Sequence, residues 1–310
     1  MRIVFMGTPR FAVPTLEGLV TSGENIIAVV SQPDQPAGRG QKVTPSPIKE
    51  YALGKGLTVL QPLKMKDPAF FSHLQGLKPD LAVVVAFGRI LPPEVLKVPR
   101  LGCVNVHASL LPQYRGAAPI QWAVIHGETE TGVTTMVMDE AMDTGPILLQ
   151  EKTTIPATET AGQLADRLSV MGARLLIRTL EMLKRGEIQP RPQDPALATY
   201  APLLKKEHGK IRWEQEAIQI YNLIRGTDPW PGAYTFYNEE RWRVFKARVV
   251  DGDKGSGRPG QIVRAEKQGA QVSTGWGILA IEEIQTANSR RMTFQEYLAG
   301  HPVEEGVILQ

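Results

Sequence analysis

Short apolar runs rich in β-branched residues punctuate the first half of the chain: IVFM (3–6), NIIAVV (25–30), LTVL (57–60), DLAVVVAF (80–87) and GCVNV (102–106). Hydrophobicity that is continuous over so few residues marks strands buried on both faces, as in a parallel sheet. Between these runs the apolar spacing becomes helical. It predicts helices over Phe11–Ser22 with Leu16 and Leu19 inward, over Ser46–Leu53 with Pro47 in the first turn, and over Asp67–Leu77 with Pro68 at its start. Strand and helix alternate throughout, so the expected fold is α/β, a Rossmann-like doubly wound and mostly parallel sheet.

Ala118–His126 then reads as a helix, and Thr131–Met138 and Ile147–Thr154 as strands joined by the loop that carries Asp143. A longer helix is expected over Thr160–Arg185, with Leu164, Leu168, Met171, Leu175 and Leu183 on one stripe and Gly186 as its stop. Residues 187–206 are Pro-rich and lack periodicity, which predicts a surface linker. Beyond them WPGAYTFY, RWRVFKARVV, GQIVRAE, GAQVSTG and WGILAIEEIQ are short strands between Gly-rich turns, the pattern of a small barrel or sandwich. The division expected is a first domain over 1–186, a linker over 187–206 and a second domain over 207–310.

Composition narrows the picture. A chain of 310 residues with 42% hydrophobic and 22% charged positions is an ordinary globular sequence with material for two cores. A net charge of +3 is spread over both halves, so any polyanion must be met by local patches. A single cysteine excludes an internal disulfide and a thiolate zinc cluster, and no metal is expected. The chain enters a strand at once, without a signal-peptide layout, and no apolar run approaches the roughly 20 residues of a membrane span. A cytoplasmic protein, off the membrane and monomeric, is expected.

The turn after the first strand, FMGTPRF, stands where a dinucleotide loop would. Gly7 is its only glycine and Pro9 occupies the turn, so a nicotinamide enzyme is rejected.

Candidate chemistry lies further on. Asn105 and His107 are two apart in GCVNVHAS, so on a strand they share a face while Val104 and Val106 pack the other way. Loop-forming residues follow, which puts the pair at the carboxyl end of the strand, where open α/β sheets bind ligands. Cys103 shares that face but lies deeper and reads as a small buried hydrophobe. Downstream, Asp143 sits in a tight Asp-Thr-Gly-Pro turn. A satisfied polar cluster is the bland alternative; acyl transfer between nitrogens is the better account. The Asn amide can donate to the oxygen on which negative charge develops. The His can take the proton that the attacking nitrogen sheds, and the Asp can orient the imidazole. An α-amino group with a pKa of about 7.7 is partly neutral near pH 7, so the base acts chiefly on the intermediate. No Ser or Cys nucleophile is required, and direct transfer is expected.

Several longer segments accompany these residues: SLLP (109–112), YRGAAPIQWA (114–123), MDEAMDTGPIL (138–148), QPDQPAGRGQKVTPSPIK (32–49), APLLKKEHGKIRW (201–213) and WPGAYT (230–235). On them the chain resembles the folate-dependent formyltransferases over nearly its full length, most closely the branch that acts on tRNA. The resemblance implies 10-formyltetrahydrofolate as donor and the amino group of methionine esterified to initiator tRNA as acceptor. It carries over Asn105, His107 and Asp143 as the catalytic set, and Ser109, Leu110, Leu111 and Pro112 as part of the folate-binding wall. It also implies that the second domain is an OB-like barrel that binds tRNA.

Two basic segments then gain a reading. The connection over 32–49 is long for a compact domain and holds Arg39 between two glycines, with Lys42 nearby. Without the resemblance it is a solvated loop; with it, Arg39 becomes a contact to the acceptor end and Lys42 a phosphate attraction. RWRVFKAR carries Arg241, Arg243, Lys246 and Arg248, a solvated strand or, in a tRNA-binding domain, a phosphate contact, but strict alternation fails midway. Either a bulge resets the face or the two pairs point apart. Lys205, Lys206 and Lys210 would extend a basic track. The competing readings are a formyltransferase for a sugar nucleotide or another small amine, a formyltetrahydrofolate hydrolase, and an RNA-binding module with a decayed enzyme domain. The first leaves the basic loop and second domain unexplained, the second would carry a regulatory domain ahead of the first strand, and the third leaves the intact Asn, His and Asp without purpose.

Overall fold

The computed structural model describes residues 1–37, 42–250 and 257–310. The chain folds as two compact units, one of Met1–Pro119, Glu130–Thr154 and Ala165–Pro202, the other of Ile120–Thr129, Ile155–Leu164 and Leu203–Gln310.

The first unit is built on a seven-stranded sheet. Its order is Ile147–Thr154, Glu130–Val137, Cys103–His107, Leu81–Val85, Arg2–Gly7, Asn25–Val30 and Val59–Leu60. The pairs from Cys103–His107 to Val59–Leu60 are parallel, and Glu130–Val137 runs antiparallel to both of its neighbours. The continuous apolar runs are explained by layers on both faces. Ile3, Phe5, Val83, Val104 and Val106 pack with Leu16, Leu19, Ile48 and Leu176 on one face. Val4, Met6, Ala82, Val84 and Cys103 pack with Phe70, Leu74 and Val95 on the other. Each large apolar side chain withdrawn from water contributes about 1.5–3 kcal/mol, and the sheet collects that gain on both sides.

Two of the helices that cover it begin directly after Ser46 and Asp67, the first residues of their expected spans. Ser46 accepts from Lys49 N ahead of Pro47–Gly54, and Asp67 accepts from Ala69 N ahead of Pro68–Gly76. The long helix runs over Ala161–Arg185, with Gly186 just past its end at a φ of 69°. The 32–49 connection contains structure that was not foreseen, a short antiparallel ladder of Gln35–Ala37 with Lys42–Thr44. The Pro-rich stretch after the long helix runs along the first unit as a strap. Arg191 and Ile147 exchange backbone hydrogen bonds of 2.8 Å each, and Tyr200–Ala201 pairs in parallel with Arg115–Gly116.

The second unit is an antiparallel sheet domain ordered Ala233–Tyr237, Glu240–Val250, Ile278–Gln285, Gly269–Ser273 and Ile262–Glu266, with Met292–Thr293 also paired to Ile278–Gln285. Its core joins Trp242, Val244, Ile262, Val272, Ile281 and Phe294 to Ile220 and Ile224 of the helix Ala217–Gly226. That helix is absent from the sequence expectation. Its β-branched and aromatic residues favour a strand locally, while Ala217, Ile220, Leu223 and Ile224 recur at helical spacing and are buried. Buried Arg225 draws in the upstream segment, donating to Glu159 O at 3.0 Å and Pro156 O at 3.4 Å. Among the described residues, no helix is long and apolar enough to cross a membrane.

Candidate active site

Cys103–His107 ends beside the antiparallel Glu130–Val137, and its polar residues follow the expected parity. Val104 and Val106 enter one apolar layer and Cys103 the other, so Asn105 and His107 take the face of Cys103. Both are buried, at 9% and 6% exposure, in a region of apolar packing. Cys103 is a packing residue. Its thiol donates to Leu96 O at 3.7 Å, and burial pushes its pKa up to about 12, away from the thiolate.

Asp143 reaches the pair from the turn between Glu130–Val137 and Ile147–Thr154. Its Oδ2 lies 3.7 Å from His107 Nδ1, and its Oδ1 accepts from Asn105 Nδ2 at 3.5 Å. A second donor anchors the carboxylate, since Gly116 N donates to Oδ2 at 2.8 Å. Asp143 adopts a φ of 56°, in the left-handed region that costs a non-glycine residue about 1–2 kcal/mol. The turn is tight enough that any Cβ on Gly145 would overlap Val137 O, so only glycine fits there.

The other imidazole nitrogen is occupied. His107 Nε2 lies 2.9 Å from Tyr114 O. A carbonyl only accepts, so in the neutral ring the proton is assigned to Nε2 and the Nδ1 lone pair faces Asp143 and the site. This reverses the usual geometry in which a carboxylate accepts from a histidine N–H. Here Asp143 receives a hydrogen bond from the ring only after Nδ1 has taken up a proton.

The turn after the strand scaffolds the site. Ser109 is buried and its Oγ donates to Gln113 O at 2.6 Å. Leu111 lies in a small apolar cluster with Met136 and Ile147, and its carbonyl accepts from Gln150 at 2.9 Å. Leu110 and Pro112 are half-buried. The side chains of Ser109 and Leu111 thus face the protein, leaving Leu110 and Pro112 as the more open members of the expected wall.

Sequence reasoning missed the residues that frame Asp143. The Gln193 amide donates to Asp143 O at 2.8 Å and Gly145 O at 2.7 Å, while its Oε1 accepts from Arg115. Thr199 Oγ1 accepts from Tyr114 N at 2.8 Å. A lone Gln and Thr in a Pro-rich stretch carry no local signal of such partners.

The residues expected to meet tRNA fall in different places. Arg39 lies outside the described residues, and Lys42 opens the strand Lys42–Thr44. Lys206 is exposed at the start of the short helical turn Lys206–Gly209. In the second unit, the register of Glu240–Val250 shifts on both sides of Lys246. Trp242, Val244 and Ala247 are therefore all buried, and Arg241, Arg243, Lys246 and Arg248 all turn outward. A bulge resets the face. Exposed Arg241 sits 4.0 Å over the Tyr234 ring. Arg243 is more tied down, 5.0 Å over Phe245, with its Nε buried and unpartnered. Lys246 and Arg248 both pair with Glu282 at 3.1 Å. Lys210 bridges to Tyr234, so the segment from Lys206 leads to the ring that carries Arg241.

A family model described as formyl transferase matches residues 1–180, and one described as formyl transferase, C-terminal domain, matches residues 203–302. The chain belongs to the formyl transferase family. A methionyl-tRNA formyltransferase of Pelotomaculum thermopropionicum is 49% identical over 309 residues, covering 100% of this chain and 98% of that one. A methionyl-tRNA formyltransferase of Pelobacter propionicus is 51% identical over 307 residues, covering 99% and 95%. Among solved structures, the N-formyltransferase of Helicobacter canadensis in complex with folinic acid and dTDP-3-aminofucose is similar in fold. Its TM-score is 0.70 at 20% identity, over 91% of this chain and 99% of that one. As a formyltransferase-family member the chain is a transferase; the second match lies within the antiparallel unit, while the first takes in most of the sheet unit together with Ile120–Thr129 and Ile155–Leu164 of the other.

Proposed function

We propose that this enzyme transfers the formyl group of 10-formyltetrahydrofolate to the amino group of methionyl initiator tRNA, acting in the cytoplasm as a monomer. The acceptor reading is supported by about half identity to methionyl-tRNA formyltransferases along nearly the whole of both chains. The chemical reading is supported by one observation above all: Asp143, 36 residues beyond His107 in sequence, stands 3.7 Å from its Nδ1 and 3.5 Å from Asn105 Nδ2.

Asn105, His107 and Asp143 are the proposed catalytic residues. The Asn105 amide donates to the formyl oxygen as negative charge develops on it, an interaction typically worth about 3–4 kcal/mol of barrier. The amine nitrogen bonds to the formyl carbon, and His107 Nδ1 takes the proton that this nitrogen sheds. The charged ring then donates from Nδ1 to Asp143 Oδ2 and from Nε2 to Tyr114 O. It returns the proton to the folate nitrogen as the bond from that nitrogen to the formyl carbon breaks, so proton and electron pair both balance. The 109–112 turn forms part of the folate wall. We assign catalysis to 1–186 and tRNA binding to 207–310, joined by 187–206, with Arg39, Lys42, Lys206, Arg241 and Arg243 along the tRNA path.

The test is formylation of charged initiator tRNA by the wild-type and His107→Ala proteins, with tRNA binding measured in parallel. Turnover is expected to be nearly abolished with binding intact. Full activity in His107→Ala would remove this histidine from the reaction.

A further inference from the structure

Gln193 lies in the strap beyond the long helix, outside the residues assigned to chemistry, yet its carboxamide is fully committed. Both Nε2 hydrogens are used, toward Asp143 O at 2.8 Å and Gly145 O at 2.7 Å. Oε1 accepts from Arg115 Nε at 3.1 Å and Nη2 at 2.8 Å. Arg115 is buried at 5% exposure, and the next residue supplies the Gly116 N–H that holds Asp143 Oδ2 at 2.8 Å. The contacts close a ring: Asp143 is held by its main chain through Gln193 and by its side chain through Gly116, and Arg115 ties those two holders together.

The strap is itself stitched to both walls of the site. Arg191 exchanges backbone bonds with Ile147, just after the Asp143 turn. Thr199 O accepts from Arg115 N at 2.8 Å, and Ala201 pairs with Gly116. Gly116, at a φ of 121°, passes so close to this strand that a Cβ would stand 2.6 Å from Ala201 O. Asp143 holds a left-handed backbone at a φ of 56°, a conformation that persists only where its surroundings impose it. Two N–H donors from Gln193, on the carbonyls of Asp143 and Gly145 two residues apart in that turn, provide the imposition.

We propose that Gln193 is a positioning residue for formyl transfer, acting through Asp143, with Arg115 as its anchor. This rests on the proposal that Asp143 serves His107. The strap thereby becomes part of the catalytic apparatus. A glutamate at 193 has the same shape and keeps the Arg115 partner, but turns an acceptor toward two carbonyls where two donors stood.

The experiment is a double-mutant cycle read by single-turnover formylation of charged initiator tRNA. Gln193→Glu is expected to slow the chemical step about 10–100-fold, the scale on which small misplacements of catalytic groups act, with KM for tRNA and folate unchanged. In an Asp143→Asn background the same change is expected to cost less than about 3-fold, because groups acting as a unit are not additive. Arg115→Lys supplies a second cycle should Gln193→Glu fail to fold, with the same expectation of lost effect in the Asp143→Asn background. An equal loss in both backgrounds, or a wild-type rate in Gln193→Glu, overturns the positioning role. Full activity in Asp143→Asn instead overturns the catalytic reading beneath it, so the two failures are distinct.

Discussion

At the scale of single residues, environment decides which of three polar groups on one strand face is available for chemistry. Cys103, Asn105 and His107 share a parity, yet Cys103 is enclosed by Leu96 and its apolar neighbours and, among the described residues, carries no partner that favours a thiolate. With its pKa pushed up to about 12, the thiol stays protonated at ordinary pH. Because the folded value is raised, its contribution to stability is whole below the ordinary thiol range and is lost as pH rises from there toward about 12. Iodoacetamide at pH 8 is expected to leave Cys103 unmodified in the folded protein and to label it fully in denaturant, read by intact mass. Rapid labelling of the native protein would contradict this. Asn105 and His107 were legible in the sequence because strand parity is rigid. The bond from His107 Nε2 to Tyr114 O was not, since it depends on a turn returning to the strand, with Tyr114 itself at a φ of 57°.

At the scale of elements, continuous apolar runs identified the parallel strands, and Ser46 and Asp67 marked helix starts, because burial on two faces and capping are local demands. Ala217–Gly226 escaped because its composition favours a strand, and only packing against the antiparallel sheet makes it a helix. The broken alternation in Glu240–Val250 was visible, but two outcomes were open until the register shift at Lys246 chose one. That bulge turns Arg241, Arg243, Lys246 and Arg248 to one side. Glu282 neutralises two of them, leaving Arg241 the more available for phosphate. Arg241→Ala is therefore expected to raise KM for tRNA and reduce the salt-dependence slope of tRNA binding by about one, with folate binding unaltered. Titrations at several salt concentrations measure this, and an unchanged slope would remove Arg241 from the phosphate contacts.

At the scale of the molecule, the two units divide along lines that sequence reading could approximate but not complete. The change in strand style after the Pro-rich stretch was legible. The recruitment of Ile120–Thr129 and Ile155–Leu164 into the second unit was not, because it depends on Ile125 packing against the second core and on buried Arg225 gathering carbonyls of the later segment, more than 60 residues upstream. In the proposed function the sheet unit handles the formyl group and the amine, and the rest of the chain bears on which amine. The most direct measurement supplies the purified protein with 10-formyltetrahydrofolate and, in parallel, methionine-charged initiator tRNA and a dTDP-amino sugar, and quantifies formylated product from each. Formyl-methionyl-tRNA as the product, with no detectable sugar formylation, is the expected result; formylation of the sugar with none of the tRNA would contradict it.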